Sequence, residues 1–324
     1  MPLPRSGVEL IDRVAERWRW MVYRVRFHPW TTHELPRILS SLMDYARLMR
    51  LDRPIGIWLL LWPTLWALWI SSRGKPNPRI FIIFVAGTVL MRSAGCAIND
   101  YADRSFDPKV ARTQDRPLAA GRISTLEALI LFAVLSLTAL MLALQLNRAT
   151  LLLAVAGGFL AITYPFVKRF LPVPQLYLGV TFGWGIPMAF VAQLDQQVPR
   201  VAWLLLIANV LWVTVYDTLY AMVDRDDDLK IGVRSTAILF GDSDRHIIAV
   251  LQLMTLASLY LVGRMIRMGN WYLAGLGAGA AFFVYQLWLI RNRDRDACFR
   301  AFLNNNYFGM AVFIGMALEY QFAR

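Results

Sequence analysis

The sequence has few of the residues that build metal clusters and covalent cross-links. It contains 2 Cys and 3 His, and neither Cys96 nor Cys298 belongs to a CxxC pair. This spacing excludes a disulfide framework and a cysteine-type zinc site, so each cysteine is predicted to be a small packing residue. The three histidines are too scattered along the chain to form a metal site. Any metal ion would therefore need oxygen ligands, which favour a hard cation such as Mg²⁺.

Phosphate-binding loops and charged interiors are also missing. The chain has no GxGxxG or P-loop pattern, and its glycines at 179, 183 and 185 are predicted to permit close helix packing instead. Charged residues make up 17% of the sequence, and acidic residues are nearly absent from the long apolar runs. The few acidic residues that lie close together are therefore the main candidates for function.

Long apolar runs dominate what is present. Hydrophobic residues make up 57% of the chain and the mean hydropathy is +0.45, which excludes an ordinary soluble protein. Runs of about 20 residues match the thickness of the bilayer core. The pattern predicts an all-α integral membrane protein with one transmembrane domain over residues 46–324 and about nine transmembrane helices. The nine predicted spans lie near Ile55–Ile70, Ile80–Ile98, Leu126–Leu146, Leu151–Val167, Gln175–Leu194, Val201–Val215, His246–Val262, Trp271–Ile290 and Phe302–Tyr320.

Residues 1–45 form a basic, amphipathic N-terminal segment that is predicted to lie at the membrane interface. The net charge of +12 does not indicate nucleic-acid binding, because most Lys and Arg residues lie on one side of the predicted spans. That side is the cytoplasm by the positive-inside rule. We therefore expect a cytoplasmic N-terminus, and both clusters of acidic residues on the cytoplasmic side.

The larger acidic cluster, the second acidic segment, covers Tyr216–Asp228 and directly follows an apolar run. On a helix at about 100° per residue, Asp217, Asp224 and Asp228 share one face, whereas Asp226 points away. Carboxylates this close repel one another. The pattern therefore predicts a cation held between them at the mouth of a span; a solvated acidic loop is the alternative.

The other cluster, the first acidic segment, covers Asn99–Asp107. Asn99, Asp103 and Asp107 recur every four residues, which places them along one helical face, and Pro108 is predicted to end that helix. Mg²⁺ bridges a few carboxylates to substrate phosphate. Two facing clusters would therefore suit a diphosphate, with basic residues nearby to bind it. The basic candidates are Lys109, Arg112, Arg116, Lys168, Arg169 and Lys230, together with Arg53 at the start of the first span.

Both acidic segments, with the sequences that flank them, resemble the membrane-embedded aromatic prenyltransferases. The resemblance covers roughly residues 45–320. It is carried by LMRLDRPIGIWLLLWPTLWALW (48–69), MRSAGCAINDYADRSFDPKVARTQDRPLAAG (91–121), YPFVKR (164–169), PQLYLG (174–179), IPMAF (186–190), YDTLYAMVDRDDDLKIG (216–232) and NNNYFG (304–309). It implies a helical bundle around a central cavity open to lipid, with cytoplasmic helical caps, in a bacterial inner membrane.

The resemblance also implies the reaction and the roles in it. The expected substrates are a polyprenyl diphosphate and 4-hydroxybenzoate, with transfer to the 3-position in ubiquinone biosynthesis and Mg²⁺ as cofactor. Asp217 and Asp103 are expected to be catalytic. The expected metal ligands are Asn99, Asp103, Asp107, Asp217, Asp224 and Asp228. Diphosphate is assigned to Lys109, Arg112, Arg116, Lys168 and Lys230, and the acceptor carboxylate to Arg169 or Arg53.

Two alternatives stay open at this stage. A related prenyltransferase could use another acceptor, such as homogentisate, a naphthoate or haem. A cation-coupled transporter would also place acids in a membrane protein. A transporter predicts carboxylates near the middle of the spans, whereas here they cluster at span ends.

Overall fold

The structure, a computed structural model, describes residues 35–110, 113–167, 169–171, 173–195, 197–232 and 234–323. Within these residues the chain is helical, with no β-strand. The helices are α1 (Leu35–Leu48), α2 (Ile55–Ser71), α3 (Pro78–Asp103), α4 (Thr125–Ala143), α5 (Arg148–Val167), α6 (Pro174–Gly183), α7 (Gly185–Leu194), α8 (Arg200–Ile231), α9 (Thr236–Phe240), α10 (Asp244–Met265), α11 (Asn270–Leu289) and α12 (Arg295–Phe322). Short 3₁₀ helices occupy Asp107–Lys109, Gly241–Ser243 and Ile290–Asn292.

The chain divides into two compact units, residues 1–47 and residues 48–324. In the first unit only residues 35–47 are described, so most of the predicted interfacial segment 1–45 lies outside the described residues. Helix α1 exposes the apolar side chains of Leu39, Leu42 and Met43 and carries an ion pair between Arg47 and Asp44 (3.4 Å).

Seven helices or helix pairs of the second unit are long and apolar enough to cross a bilayer, which confirms a multi-pass membrane fold. The predicted count of nine is not confirmed. Helix α2 has only 17 residues, and α12 is not among the seven. Polar residues explain the exclusion of α12, because three consecutive asparagines (304–306) and the buried Glu319 interrupt its apolar sequence.

The core of the second unit is built on tryptophan side chains from α2 and α8, and α12 supplies their hydrogen-bond partners. Trp66 and Trp212 pack with ring centroids 5.2 Å apart. Trp212 Nε1 donates to Asn305 (2.9 Å), and Trp66 Nε1 donates to the Gly309 carbonyl (3.1 Å). Indole N–H groups need such partners when buried. The NNNYFG sequence therefore fixes the register of three packed helices.

Two local features position the site. The predicted fifth span is broken between α6 and α7, close to Pro187, which lies within the first turn of α7. Helix α8 is a single helix of 32 residues that ends at Gly232. Gly232 has a φ of 72°, a left-handed conformation that favours glycine and closes the helix.

Candidate active site at the ends of α3 and α8

The first acidic segment is helical only over its first half. Asn99 Nδ2 donates to Asp103 Oδ2 (3.1 Å), so the predicted contact one turn apart on α3 is confirmed. The prediction that the helix continues to Asp107 is wrong, since α3 ends at Asp103. Asp107 begins a separate 3₁₀ helix that contains Pro108. Proline lacks an N–H and restricts the residue before it, and the helix ends several residues ahead of it.

Asp100 is the buried centre of this segment, and sequence reasoning missed it. Its side chain is 1% exposed and accepts from Arg50 at 2.9 and 3.0 Å and from Arg116 at 3.0 Å. Two arginines that neutralise one carboxylate make a buried ion cluster whose members depend on one another. A signal was present in the sequence, because Asp100 is an acidic residue within the first acidic segment. It lies off the helical face shared by Asn99 and Asp103, on which the sequence analysis relied.

Asp107 is held by the same arginine. Arg116 also donates to Asp107 Oδ2 (2.9 Å), so it joins two carboxylates of the first acidic segment. Burial raises the pKa of Asp107, and the Arg116 guanidinium opposes that shift. The structure thus places Arg116, predicted to bind diphosphate, and Asp107, predicted to bind metal, in an ion pair with each other.

Arg169 lies against the end of α3. It donates to the Ala102 carbonyl and to Asp103 (3.4 Å), and its guanidinium is 5.2 Å from the centroid of the Phe106 ring. The arginine that follows α5 is therefore tied to the same carboxylate that contacts Asn99.

The second acidic segment lies entirely on α8, as its spacing predicts. Asp217, Asp224 and Asp228 are partly buried, whereas the Asp226 side chain is 73% exposed and points away. Arg295 binds Asp226 and Asp227 (3.4 Å to each), so α12 neutralises the outward side of the segment.

The two acidic segments approach each other at Tyr164 on α5. Asp103 from α3 and Asp217 from α8 both lie close enough to the Tyr164 phenol to act on it electrostatically, and so does Arg92. Tyr164 also stacks on Tyr177 of α6, with ring centroids 6.4 Å apart. A carboxylate from each segment and two aromatic rings therefore meet in one region of the bundle.

Arg92 is a second residue of the site that the sequence analysis did not identify. It lies in the middle of α3, where its guanidinium is 5.8 Å from the centroid of the Phe182 ring. It packs so closely on Gly56 that a Cβ there would overlap the guanidinium. Arg92 Nε and the Tyr216 hydroxyl are both buried, and neither has a hydrogen-bond partner among the described residues. Buried donors without partners are costly and indicate a polar ligand. The signal was an arginine inside an apolar run.

The remaining basic residues that the sequence predicts for the site are either exposed to solvent or not described by the structure. Arg53 is 79% exposed and 3.9 Å from Asp52, and Lys230 is 75% exposed and 3.6 Å from Asp227. Arg112, Lys168 and the Lys109 side chain lie outside what the structure describes. Their predicted contacts with diphosphate stay predictions.

The donor chemistry of the site fits a hard divalent cation. Asn99, Asp103 and Asp217 offer side-chain oxygen atoms as ligands, which Mg²⁺ prefers. In the described part of the chain, no three His, Cys, Asp or Glu side chains converge to hold one ion. A cation that takes a few protein oxygens and completes its shell with water and phosphate suits such a site.

Comparison with known proteins places this arrangement in a family. The model of the UbiA prenyltransferase family matches residues 60–313. A 4-hydroxybenzoate octaprenyltransferase of Methylococcus capsulatus is 57% identical over 290 residues, which cover 89% of this chain and 99% of that protein. A protein of the same name from Nitrosococcus oceani is 58% identical over 281 residues, 87% of this chain and 98% of its own.

Solved structures share the fold. The apo structure of a UbiA homologue from Aeropyrum pernix K1 superposes with a TM-score of 0.71 at 27% identity, over 80% of this chain and 96% of that one. A UbiA homologue from Archaeoglobus fulgidus bound to GPP and Mg²⁺ superposes with a TM-score of 0.65 at 17% identity, over 83% and 99% of the two chains. The match to the family model and the identity to curated relatives over most of their length lead to one conclusion: the chain belongs to the UbiA prenyltransferase family.

Proposed function

We propose that this protein transfers a polyprenyl group from a polyprenyl diphosphate to the 3-position of 4-hydroxybenzoate, with release of diphosphate, in ubiquinone biosynthesis. The observation that carries the proposal is the approach of Asp103 and Asp217, from two different helices, to Tyr164 within a membrane bundle. The names of the most similar curated relatives support the choice of acceptor. The reaction would take place at the cytoplasmic side of a bacterial inner membrane.

The diphosphate is proposed to bind between the two acidic segments with Mg²⁺. Asn99 and Asp103 on α3, and Asp217, Asp224 and Asp228 on α8, would hold the cation, and Asp107 would take part from the loop after α3. When bound, a divalent ion neutralises the negative charge of the diphosphate and so makes it a better leaving group. Lys109, Arg112, Arg116, Lys168 and Lys230 are proposed to supply further positive charge.

Bond formation then needs a shielded cation and an oriented acceptor. The allylic C–O bond breaks, its electron pair leaves with the diphosphate, and a C–C bond forms at the ring carbon ortho to the phenol hydroxyl. Asp217 is proposed to polarise that hydroxyl or to accept the ring proton, and Asp103 to hold the donor. The stacked rings of Tyr164 and Tyr177 would exclude water and stabilise the allylic cation through their faces.

The acceptor carboxylate needs a cation. Arg169 and Arg53 are the candidates that the sequence offers, and the structure adds Arg92 because of its unpartnered Nε and the neighbouring Tyr216 hydroxyl. Arg169→Gln, Arg53→Gln and Arg92→Gln separate the three. Substitution of the residue that binds the acceptor should raise KM for 4-hydroxybenzoate and leave KM for the prenyl diphosphate unchanged.

Membranes that contain the protein, supplied with labelled 4-hydroxybenzoate and a polyprenyl diphosphate, provide the main test. The expected result is a lipid-soluble labelled product that EDTA abolishes and excess Mg²⁺ restores. Homogentisate and a dihydroxynaphthoate in place of 4-hydroxybenzoate test the other acceptors. Absence of product with every acceptor, together with cation-dependent uptake into proteoliposomes, would replace the proposal with a transporter.

A further inference from the structure

A second buried carboxylate cluster lies where the second acidic segment of α8 meets the start of α10, and it has no place in the proposed chemistry. Its centre is Asp244, the first residue of α10, whose side chain is fully buried. Arg293, in the connection between α11 and α12, donates to it from Nε (3.0 and 3.1 Å) and from Nη2 (2.8 Å). The Arg245 backbone N–H donates to it as well (2.6 Å).

The third cation at Asp244 comes from the second acidic segment itself. Arg225 Nη1 lies 3.7 Å from Asp244 Oδ2. On α8, Arg225 directly follows Asp224 and is three residues before Asp228. Residues three or four apart on a helix lie side by side, so Asp228 is within reach of Arg225, whereas Asp224 points about 100° away from it. Arg225 nevertheless forms an ion pair with the carboxylate on α10.

The location of Arg225 matters because of its charge. An arginine held against Asp228 would neutralise one of the carboxylates that are proposed to take a divalent cation, and it would repel that cation. Asp244 competes for the same guanidinium from a buried position, where Coulomb attraction is stronger than at the surface. Arg293 also donates several hydrogen bonds to Asp244, so this carboxylate has two arginine partners.

We propose that Asp244 is a positioning residue for the second acidic segment. It draws Arg225 toward α10 and so keeps this cation from neutralising Asp228. This inference rests on the proposed function, because it assumes that the second acidic segment binds a divalent cation. Arg293 also binds Asp244 and so contributes to the stability of the fold at the start of α10.

The decisive experiment compares Asp244→Asn with the double variant Asp244→Asn/Arg225→Gln in the full-length protein. Two quantities are measured: the half-saturating Mg²⁺ concentration for prenyl transfer in membranes, and Mn²⁺ binding by EPR to purified protein with inorganic diphosphate. Asp244→Asn should weaken both about tenfold, because a released Arg225 competes with the metal. The double variant should return both to within about threefold of the wild-type values, because the competing charge is gone.

Three single variants separate this role from simple support of the fold. Arg225→Gln should leave metal binding within about twofold. Arg293→Gln should lower thermal stability but leave metal binding unchanged, since Asp244 still attracts Arg225. Asp242→Asn is the matched control, because its exposed side chain lies in the same turn and only its backbone carbonyl is used, by Arg293.

The outcomes are distinct. A double variant as impaired as Asp244→Asn, or an Arg293→Gln variant with equally weakened metal binding, overturns the proposal in favour of a structural role. If Asp244→Asn fails to fold, folding of the double variant supports the proposal and its failure overturns it. A wild-type protein that makes no product and binds no Mn²⁺ contradicts the proposed function itself.

Discussion

The two acidic segments contain similar residues but are held in different ways. The first leaves its helix at Asp103 and is ordered by arginines, since Arg50 and Arg116 meet at Asp100 and Arg116 continues to Asp107. The second stays on one uninterrupted helix, α8. There, Arg225 binds Asp244 and Arg295 binds the outward carboxylates.

This difference separates carboxylates buried in ion pairs that support the fold from carboxylates that lie near Tyr164. In the first segment Asp100 and Asp107 are buried in ion pairs with Arg50 and Arg116, while Asp103 contacts Asn99 and Arg169 and lies near Tyr164. In the second segment the neighbouring helices take up Arg225 and the outward carboxylates, and Asp217 lies near Tyr164. A pair of aspartates, one from each segment, is thus distinguished from the rest by position.

The largest effect is expected at that pair. Asp103→Asn and Asp217→Asn should each lower kcat roughly 10²- to 10³-fold, because each removes charge from the reacting region. The measurement is the initial rate of lipid-soluble product formation at saturating substrates. Asp226→Asn, an exposed position on α8, is the matched control and should retain nearly full activity. Retention of more than a tenth of wild-type kcat in either variant would contradict the placement of that aspartate in the reacting region.

Asp100→Asn should mainly lower the stability of the folded protein. Removing the shared carboxylate leaves Arg50 and Arg116 without their buried partner, at a cost of about 3 kcal/mol in the free energy of unfolding. Unfolding of purified protein in detergent measures this loss. Asp115→Asn, which changes an exposed acid directly before Arg116, should leave stability unchanged. Equal stability of the two variants would show that the arginines do not depend on Asp100.

Asp107 should give a smaller, pH-dependent effect. Because burial raises the pKa of this carboxyl above 3.8, its protonated form is favoured in the folded state. Its contribution to stability is therefore fully present below the unfolded pKa and is lost as the pH rises through the folded pKa. Asp107→Asn mimics the protonated form and does not titrate. As the pH rises through the folded pKa, the variant should therefore become more stable relative to the wild-type protein. Unfolding curves of both proteins in EDTA at a series of pH values test this. A stability advantage of Asp107→Asn that grows toward acidic pH would contradict the prediction.

The smallest effect is expected for Lys230→Gln. The side chain is 75% exposed, and solvent screening limits exposed ion pairs to under about 1 kcal/mol. KM for the prenyl diphosphate should rise at most about threefold, and the difference should shrink with added salt. A tenfold rise that persists at high salt would place Lys230 inside the binding site.

Periodicity and composition were sufficient for the parts of this protein that depend on local physics. The apolar runs predict the helices, and the spacing of Asp217, Asp224 and Asp228 predicts their common side of α8, because a helix repeats every 3.6 residues wherever it forms. The end of α3 was misplaced because one proline was taken as the sole stop signal. Asp100 was missed because its partners, Arg50 and Arg116, lie far from it in sequence.

The sequence by itself determined a helical membrane protein with two acidic segments, since hydrophobic run length and side-chain spacing need no tertiary contact to be read. Only the tertiary structure decided which carboxylates are occupied by arginine, that Arg92 lies against Gly56, and that Asp103 and Asp217 approach Tyr164. Ion pairs and buried contacts join residues tens to hundreds of positions apart. Coulomb energy and desolvation depend on distances in space, which sequence spacing does not contain.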